Sequence, residues 1–270
     1  MTLSYINENG LVLLGCGKMG SAMLQGWLAE GVEPTAVTII DPYPSDWVKA
    51  QGVAVNTDLP SAPAVCILAV KPQMMGKALP QLQALGNGDT LFISIAAGTS
   101  IASFEAVLGA QTPIIRAMPN TPAAVGRGIT ALIGNSHSSK AQMDMAETLL
   151  AAVGQTVRLE NEGQMDAVTA LSGSGPAYVF HLIETMAAGG VSQGLPADMA
   201  MKLAKATVAG AGELAEQSDE DPAQLRVNVT SPAGTTAAAL EVLMDVETGF
   251  PKIVSAGIKA AADRSKELGK

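Results

Sequence analysis

Basic residues are scarce in this chain. It has 16 Lys and Arg against 25 Asp and Glu, a formal net charge of −9. The few cations are scattered, and nucleic-acid binding needs them clustered, so no nucleic-acid partner is expected. Cysteine is limited to two residues, Cys16 and Cys66, with no C-x-x-C pair. That excludes a disulfide framework and a thiolate metal site, and both cysteines read as small buried hydrophobes. Histidine also occurs twice. His137 falls in a polar loop and is expected to be exposed. His181, on an apolar helix with Glu184 one turn on, reads as a satisfied core residue. No Ser/His/Asp set and no metal-ligand cluster can be assembled, so no metal is expected. Long apolar runs are missing too. The most apolar stretch, Tyr178 to Val191, carries His181, Glu184 and two glycines, too short and too polar to span a bilayer. Met1 to Asn9 has neither a basic segment nor a long apolar run, so a soluble cytoplasmic chain is expected.

What remains is apolar and small-residue-rich: 48% hydrophobic, 28 Gly and only 3% aromatic. Small side chains let helices approach closely. At 270 residues the chain exceeds what one core usually serves, so two domains are expected. Strand-like apolar runs occur at Leu11–Leu14, Ala36–Ile40, Ala64–Val70, Thr90–Ile95, Ile114–Ala117, Ile129–Ile133 and Gln155–Leu159. Helical patterns separate them, beginning with Ser21–Glu30. This alternation predicts an α/β fold with a mostly parallel, doubly wound sheet. Beyond Leu159 the strand signals stop. Helices are predicted over Glu162–Ser192, Ala197–Ser218, Asp221–Val229, Thr235–Val246 and Pro251–Leu268. Such a small helical core is expected to be completed by self-association.

Gly15-Cys16-Gly17-Lys18-Met19-Gly20 follows a strand and opens a helix. In that context Gly-x-Gly-x-x-Gly predicts a dinucleotide cradle: Gly15 for the turn, Gly17 for approach to the pyrophosphate, Gly20 for helix–sheet packing. Asp41 ends the second strand. It would accept hydrogen bonds from an unphosphorylated ribose and repel a 2′-phosphate, favouring NADH over NADPH; or it merely caps the turn with Pro42. Ala69-Val70-Lys71-Pro72 closes another strand at the edge where ligands bind, with Lys71 either an acid or a loop brace. Ala96-Ala97-Gly98 and Met118-Pro119-Asn120 end later strands and leave room for a flat nicotinamide. Ser231 to Thr236 reads as a loop that aims N–H groups at an anion from the start of a helix.

Ala69-Val70-Lys71-Pro72, Ser94-Ile95-Ala96-Ala97-Gly98, Ile115 to Pro122, Ser172-Gly173-Ser174-Gly175-Pro176-Ala177-Tyr178 and Ser231-Pro232-Ala233-Gly234-Thr235-Thr236 resemble the pyrroline-5-carboxylate reductase family. They occur in the family's order along nearly the whole chain. The resemblance implies an N-terminal Rossmann-like dinucleotide-binding domain, here residues 1–160. It implies a helical substrate-binding and dimerisation domain, here 161–270, which interlocks with its twin as a dimer or higher homo-oligomer. The implied reaction is reduction of 1-pyrroline-5-carboxylate to L-proline, the last step of proline biosynthesis, with NADPH or NADH. Ser231, Gly234, Thr235 and Thr236 match the substrate loop, and Thr236 matches the catalytic threonine that faces the ring nitrogen. Gly15, Gly17, Lys18, Met19, Gly20, Asp41, Asn56, Ala69, Val70, Lys71, Pro72, Ala97, Met118 and Asn120 are the implied cofactor contacts. Two positions depart from the family: Ala233 replaces a loop glycine, and Asp41 replaces a small hydroxyl residue suited to a 2′-phosphate. A beta-hydroxyacid dehydrogenase would want a lysine in the long interdomain helix, and none occurs in Glu162–Ser192. A non-catalytic dinucleotide-binding regulator would not need the Ser231–Thr236 loop.

Overall fold

The computed structural model describes residues 2–269. By contacts the chain divides into two units: residues 1–173 with 262–270, and residues 174–261. The first unit is built on one eight-stranded sheet. Its strands are β1 (Leu11–Leu14), β2 (Val37–Ile40), β3 (Ala54–Val55), β4 (Val65–Leu68), β5 (Leu91–Ser94), β6 (Ile114–Met118), β7 (Gly128–Gly134) and β8 (Gly154–Arg158). Their spatial order is β3-β2-β1-β4-β5-β6-β7-β8. This is the doubly wound, Rossmann-like arrangement expected from the sequence, and it reverses direction between β1 and β4. Such a switch point leaves a crevice beyond the carboxyl ends of the two strands.

Every residue of β1, β4 and β5 is buried, which is why they read as apolar runs, with Ser94 at the end of β5 the one polar residue. Alternate residues feed two cores. Leu11, Leu13, Ile67 and Ile93 join Met23, Trp27 and Leu149 on one face. Val12, Leu14, Leu68 and Phe92 join Leu82 and Phe104 on the other. The Trp27 indole N–H also donates to the Leu149 carbonyl at 2.8 Å, so the largest buried side chain leaves no polar atom unpaired there.

Some features depart from the sequence reading. The edge strand β3 and the helix Thr2–Asn9 were not anticipated; the first is too short to show a period. β7 runs antiparallel to β6. The connection is a 3₁₀ turn, Thr121–Val125, closed by Gly126 at φ +69°, too short for the crossover a parallel pair requires. The helix that follows β1 starts at Lys18 rather than Ser21. The stretch expected as one helix over Glu162–Ser192 is broken into Glu162–Gln164, Met165–Val168, a π turn over Thr169–Gly173, and Gly175–Ser192. Gly173 and the Gly175-Pro176 pair interrupt the regular helical ladder there.

The second unit is helical. Gly175–Ser192 packs on Ala197–Gln217, and its small core is Ala187, Ala200 and Ala204 with Ile183 and Met201. A Cβ on Gly190 would lie 3.3 Å from the Ala200 Cβ, so glycine permits the close approach. Much apolar surface stays outside: Phe180, Leu203, Leu214, Val227, Val242 and Ile253 are all exposed within the chain. His181 is exposed as well, its Nδ1 3.2 Å from Glu184 Oε2. This corrects the expectation of a core histidine. Among the described residues no helix is long and apolar enough to cross a membrane.

Both cysteines are free and buried. Burial pushes the Cys66 thiol far up. It also raises that of Cys16, with a Ser21 hydrogen bond opposing and the Asp41 charge adding to the rise. The folded protein should therefore be inert to Ellman's reagent at pH 8, where an ordinary exposed thiol reacts, and should release two thiols on unfolding. Rapid labelling of the folded chain would show that the sheet core opens.

Candidate active site

The glycine turn is dictated by crowding at the switch point. β1 and β4 pair in register, Leu14 beside Leu68. Gly15, at φ +88°, is therefore pressed against the end of β4: a Cβ there would lie 2.7 Å from Val70 Cγ1 and 3.0 Å from the Ala69 carbonyl. A Cβ on Gly20 would lie 2.6 Å from the Gly15 carbonyl oxygen. Gly17 differs: a Cβ there would meet nothing within 4 Å. Two of the three glycines are thus required by packing, and the third keeps open the space in front of the helix. Gly17 is the N-cap of Lys18–Ala29 and supplies no side-chain cap. The first-turn N–H groups accordingly lack a side-chain acceptor at the helix's positive end, which suits a pyrophosphate. Lys18 is exposed beside that opening, and Met19 packs partly against the core.

Asp41 ties this turn to β2. Its Oδ2 accepts from the Cys16 N–H at 2.7 Å, and its Oδ1 accepts from the Tyr43 N–H at 2.7 Å. The second bond is an Asx turn, so the turn-capping role is real. The first bond joins the same carboxylate to the glycine loop. Asn56 is held at φ +52° and clamps the Asp41 backbone: its Oδ1 accepts from Asp41 N–H at 3.0 Å and its Nδ2 donates to the Asp41 carbonyl at 2.8 Å. Asn56 thus orients Asp41.

The other strand ends line up along the same edge. Ala69 and Val70 follow β4. Lys71 caps the Pro72–Ala78 helix through its backbone, with Pro72 in the first turn; its side chain is exposed. Ala97 is half-buried after β5, next to Gly98 at φ +74°. Met118 is buried at the end of β6, and Asn120 Oδ1 accepts from the Ile129 N–H at 3.0 Å, fixing the turn into β7. One polar group along this edge was missed in sequence. Glu162 Oε1 accepts both from the buried Arg116 Nη1 at 2.8 Å and from the Ile101 N–H at 2.9 Å. The carboxylate thereby serves a buried cation and a helix N-terminus together. An arginine inside an otherwise apolar strand was the available signal for it.

In the second unit, Ser231 to Gly234 forms a tight turn, with the Gly234 N–H donating to the Ser231 carbonyl at 3.1 Å. Pro232 occupies the position where its fixed φ is favoured, and Ala233 takes φ +55°. This is a type II pattern, in which the third residue is usually glycine. The Ala233 Cβ is therefore tolerated in a left-handed conformation. A Cβ on Gly234 would lie 2.4 Å from Ser231 Oγ, so glycine lets the serine hydroxyl lie across the turn. Gly234 is then the N-cap of Thr235–Leu243, again without a side-chain cap. The result is a second helix N-terminus with N–H groups open to an anion and three hydroxyls nearby, those of Ser231, Thr235 and Thr236.

A family model described as pyrroline-5-carboxylate reductase dimerisation matches residues 162–268. A second, described as NADP oxidoreductase coenzyme F420-dependent, matches residues 11–98. A pyrroline-5-carboxylate reductase of Pseudomonas aeruginosa is 39% identical, covering 96% of each chain. One from a Synechocystis species is 42% identical, covering 96% of this chain and 98% of that one. Among solved structures, the pyrroline-5-carboxylate reductase of Coxiella burnetii superposes with a TM-score of 0.91 at 33% identity, covering 97% and 99% of the two chains. The Plasmodium falciparum pyrroline carboxylate reductase with NADP bound superposes with a TM-score of 0.85 at 28% identity, covering 98% and 99%. With its dinucleotide-type sheet, its helical second half and this likeness along nearly its full length, the chain belongs to the pyrroline-5-carboxylate reductase family.

Proposed function

We propose that the protein reduces 1-pyrroline-5-carboxylate to L-proline, the closing step of proline biosynthesis. In this assignment residues 1–160 hold the dinucleotide, and residues 161–270 hold the substrate and self-associate as a dimer or a larger homo-oligomer. The exposed apolar side chains of the helical unit support self-association, since that unit buries little on its own. Two buried, unpaired cysteines are compatible with the reducing cytoplasm, where we place it.

The observation that carries the coenzyme assignment is the open space at Gly17 between two glycines that packing demands. In this reading Gly15, Gly17, Lys18, Met19 and Gly20 hold the pyrophosphate, and Asp41, oriented by Asn56, holds the ribose. Ala69, Val70, Lys71, Pro72, Ala97, Met118 and Asn120 shape the nicotinamide side. The coenzyme supplies a hydride when bound. The chain's own residues do the positioning. Ser231 and the N–H groups following Gly234 bind the substrate carboxylate. The Thr236 hydroxyl orients the ring nitrogen and shares its proton. A protonated imine is already electrophilic, so no strong acid is required. A beta-hydroxyacid dehydrogenase is disfavoured, because Glu162–Ser192 contains no lysine.

The purified protein is expected to oxidise a reduced nicotinamide coenzyme only when the cyclic imine is present. No turnover with either coenzyme in a folded sample would overturn the assignment. Asp41 adds a negative charge at the ribose, so NADH is expected to serve at least as well as NADPH. Asp41→Ser should shift the ratio of kcat/KM toward NADPH by roughly tenfold, or ~1.4 kcal/mol. The ratio is the readout because the variant also loses the Cys16 tie. An unmoved ratio would leave Asp41 a turn residue alone.

Thr236→Ala should lower kcat by about 5- to 150-fold, the worth of one hydrogen bond near developing charge at ~1–3 kcal/mol. Thr236→Ser should lose much less, and dinucleotide affinity should hold in both. Ser231→Ala should instead raise KM for the imine more than it lowers kcat, because a carboxylate is held alike in ground and transition states. Wild-type kcat/KM in Thr236→Ala would remove that hydroxyl from the mechanism.

A further inference from the structure

Tyr43 has the most exposed large apolar side chain among the described residues, at 90%. Nothing in the core holds its ring, yet its backbone is fixed. Its N–H is bound by Asp41 Oδ1 at 2.7 Å. Pro42 and Pro44 flank it and limit the chain's freedom on both sides. Immediately afterwards Ser45 caps the Asp46–Lys49 helix through its side chain, so the segment cannot drift. An aromatic ring is thus presented to solvent from an anchored backbone, so a flat partner that stacks on it has no segment to order.

Its place in the fold says what that would be. Tyr43 lies just beyond the carboxyl end of β2, the strand beside β1. The Asp41 carboxylate that binds the Tyr43 N–H also binds the Cys16 N–H of the glycine turn, at 2.7 Å. One side chain therefore couples the pyrophosphate turn, the proposed ribose acceptor and the root of the aromatic ring. In an extended dinucleotide the purine lies next along from that ribose. We propose that Tyr43 is the platform on which the adenine ring of the coenzyme stacks. The inference rests on the dinucleotide reading given above. It makes Tyr43 an affinity determinant that acts on the adenosine half alone.

The test uses ADP-ribose, which carries the adenosine half and has no nicotinamide to react. Calorimetric titration of the whole protein should give a Kd about tenfold weaker for Tyr43→Ala, within the range of one base–aromatic stack. Tyr43→Phe should bind like wild type, since the ring and not the hydroxyl makes the contact. In steady state Tyr43→Ala should raise KM for NADH while kcat at saturating NADH stays within about twofold of wild type. Equal ADP-ribose affinity in wild type and Tyr43→Ala would overturn the proposal, and so would a fall in kcat matching the loss of affinity. The side chain is exposed, so the variant should melt with the parent; a large drop in Tm would point instead to a structural role and would also overturn it. Failure of the wild-type protein to bind either ADP-ribose or NADH would be a different result, overturning the dinucleotide reading itself.

Discussion

The organisation of the first unit depends on how closely the turn after β1 passes the end of β4. These strands are neighbours at the point where the sheet's order reverses, and their in-register pairing puts Gly15 against Ala69 and Val70. Only a residue without a Cβ fits, and only one at ease with φ +88° can turn there. Gly20 repeats the constraint one helical turn on, where its bare Cα rests on the Gly15 carbonyl. Together they set the start of the Lys18–Ala29 helix over the crevice. The helix's N–H groups, the Asp41 carboxylate and the ends of β4, β5 and β6 then share one edge of the sheet. Asp41 strengthens this arrangement from the other side by bonding the Cys16 N–H.

The Ser231–Gly234 turn in the second unit solves a similar problem with different parts. Pro232 presets a tight turn, Ala233 accepts a left-handed backbone, and Gly234 begins a helix without capping it. A non-glycine residue at such a φ costs on the order of 1 kcal/mol or more, which the surrounding turn must offset. In both places an uncapped helix start is built where a serine, threonine or aspartate at the N-cap would have been more stable in isolation. Helix starts vary in this respect: those led by Lys71, Ser174 and Pro196 also lack a side-chain cap, while four others have one. Ser45, Ser100, Ser139 and Asp221 each accept from a first-turn N–H.

Most of the sheet was legible in the sequence because buried parallel strands show as short apolar runs, and Leu11–Leu14, Val65–Leu68 and Leu91–Ser94 are covered on both faces. The two-residue β3 carried no period to detect. The π turn at Thr169–Gly173 was hidden because an apolar helical pattern continues through it, although the Gly-x-Gly-Pro spacing that follows marked a break. The roles within the candidate site were only partly legible. Gly15, Gly17 and Gly20 look equivalent in sequence, and only the space around each separates two packing glycines from one that leaves room. Asp41 looked like either a ribose acceptor or a turn cap. The Asx turn to Tyr43 and the tie to Cys16 arise from different oxygens of one carboxylate, and no linear pattern reports the second. His181 misled because a helix that is apolar overall leaves much of its surface outside its own chain's core.

The central claim is that the glycine turn and the Asp41 loop form one dinucleotide cradle. Amide hydrogen exchange, with and without saturating NADH and with no imine present, tests it most directly. Protection is expected at Cys16–Ser21 and at Asp41–Tyr43 together, while the groove at the opposite end of the sheet, around Asn87, Gln111 and Gln142, keeps its rates. Protection at that groove with none at the glycine turn would contradict the account.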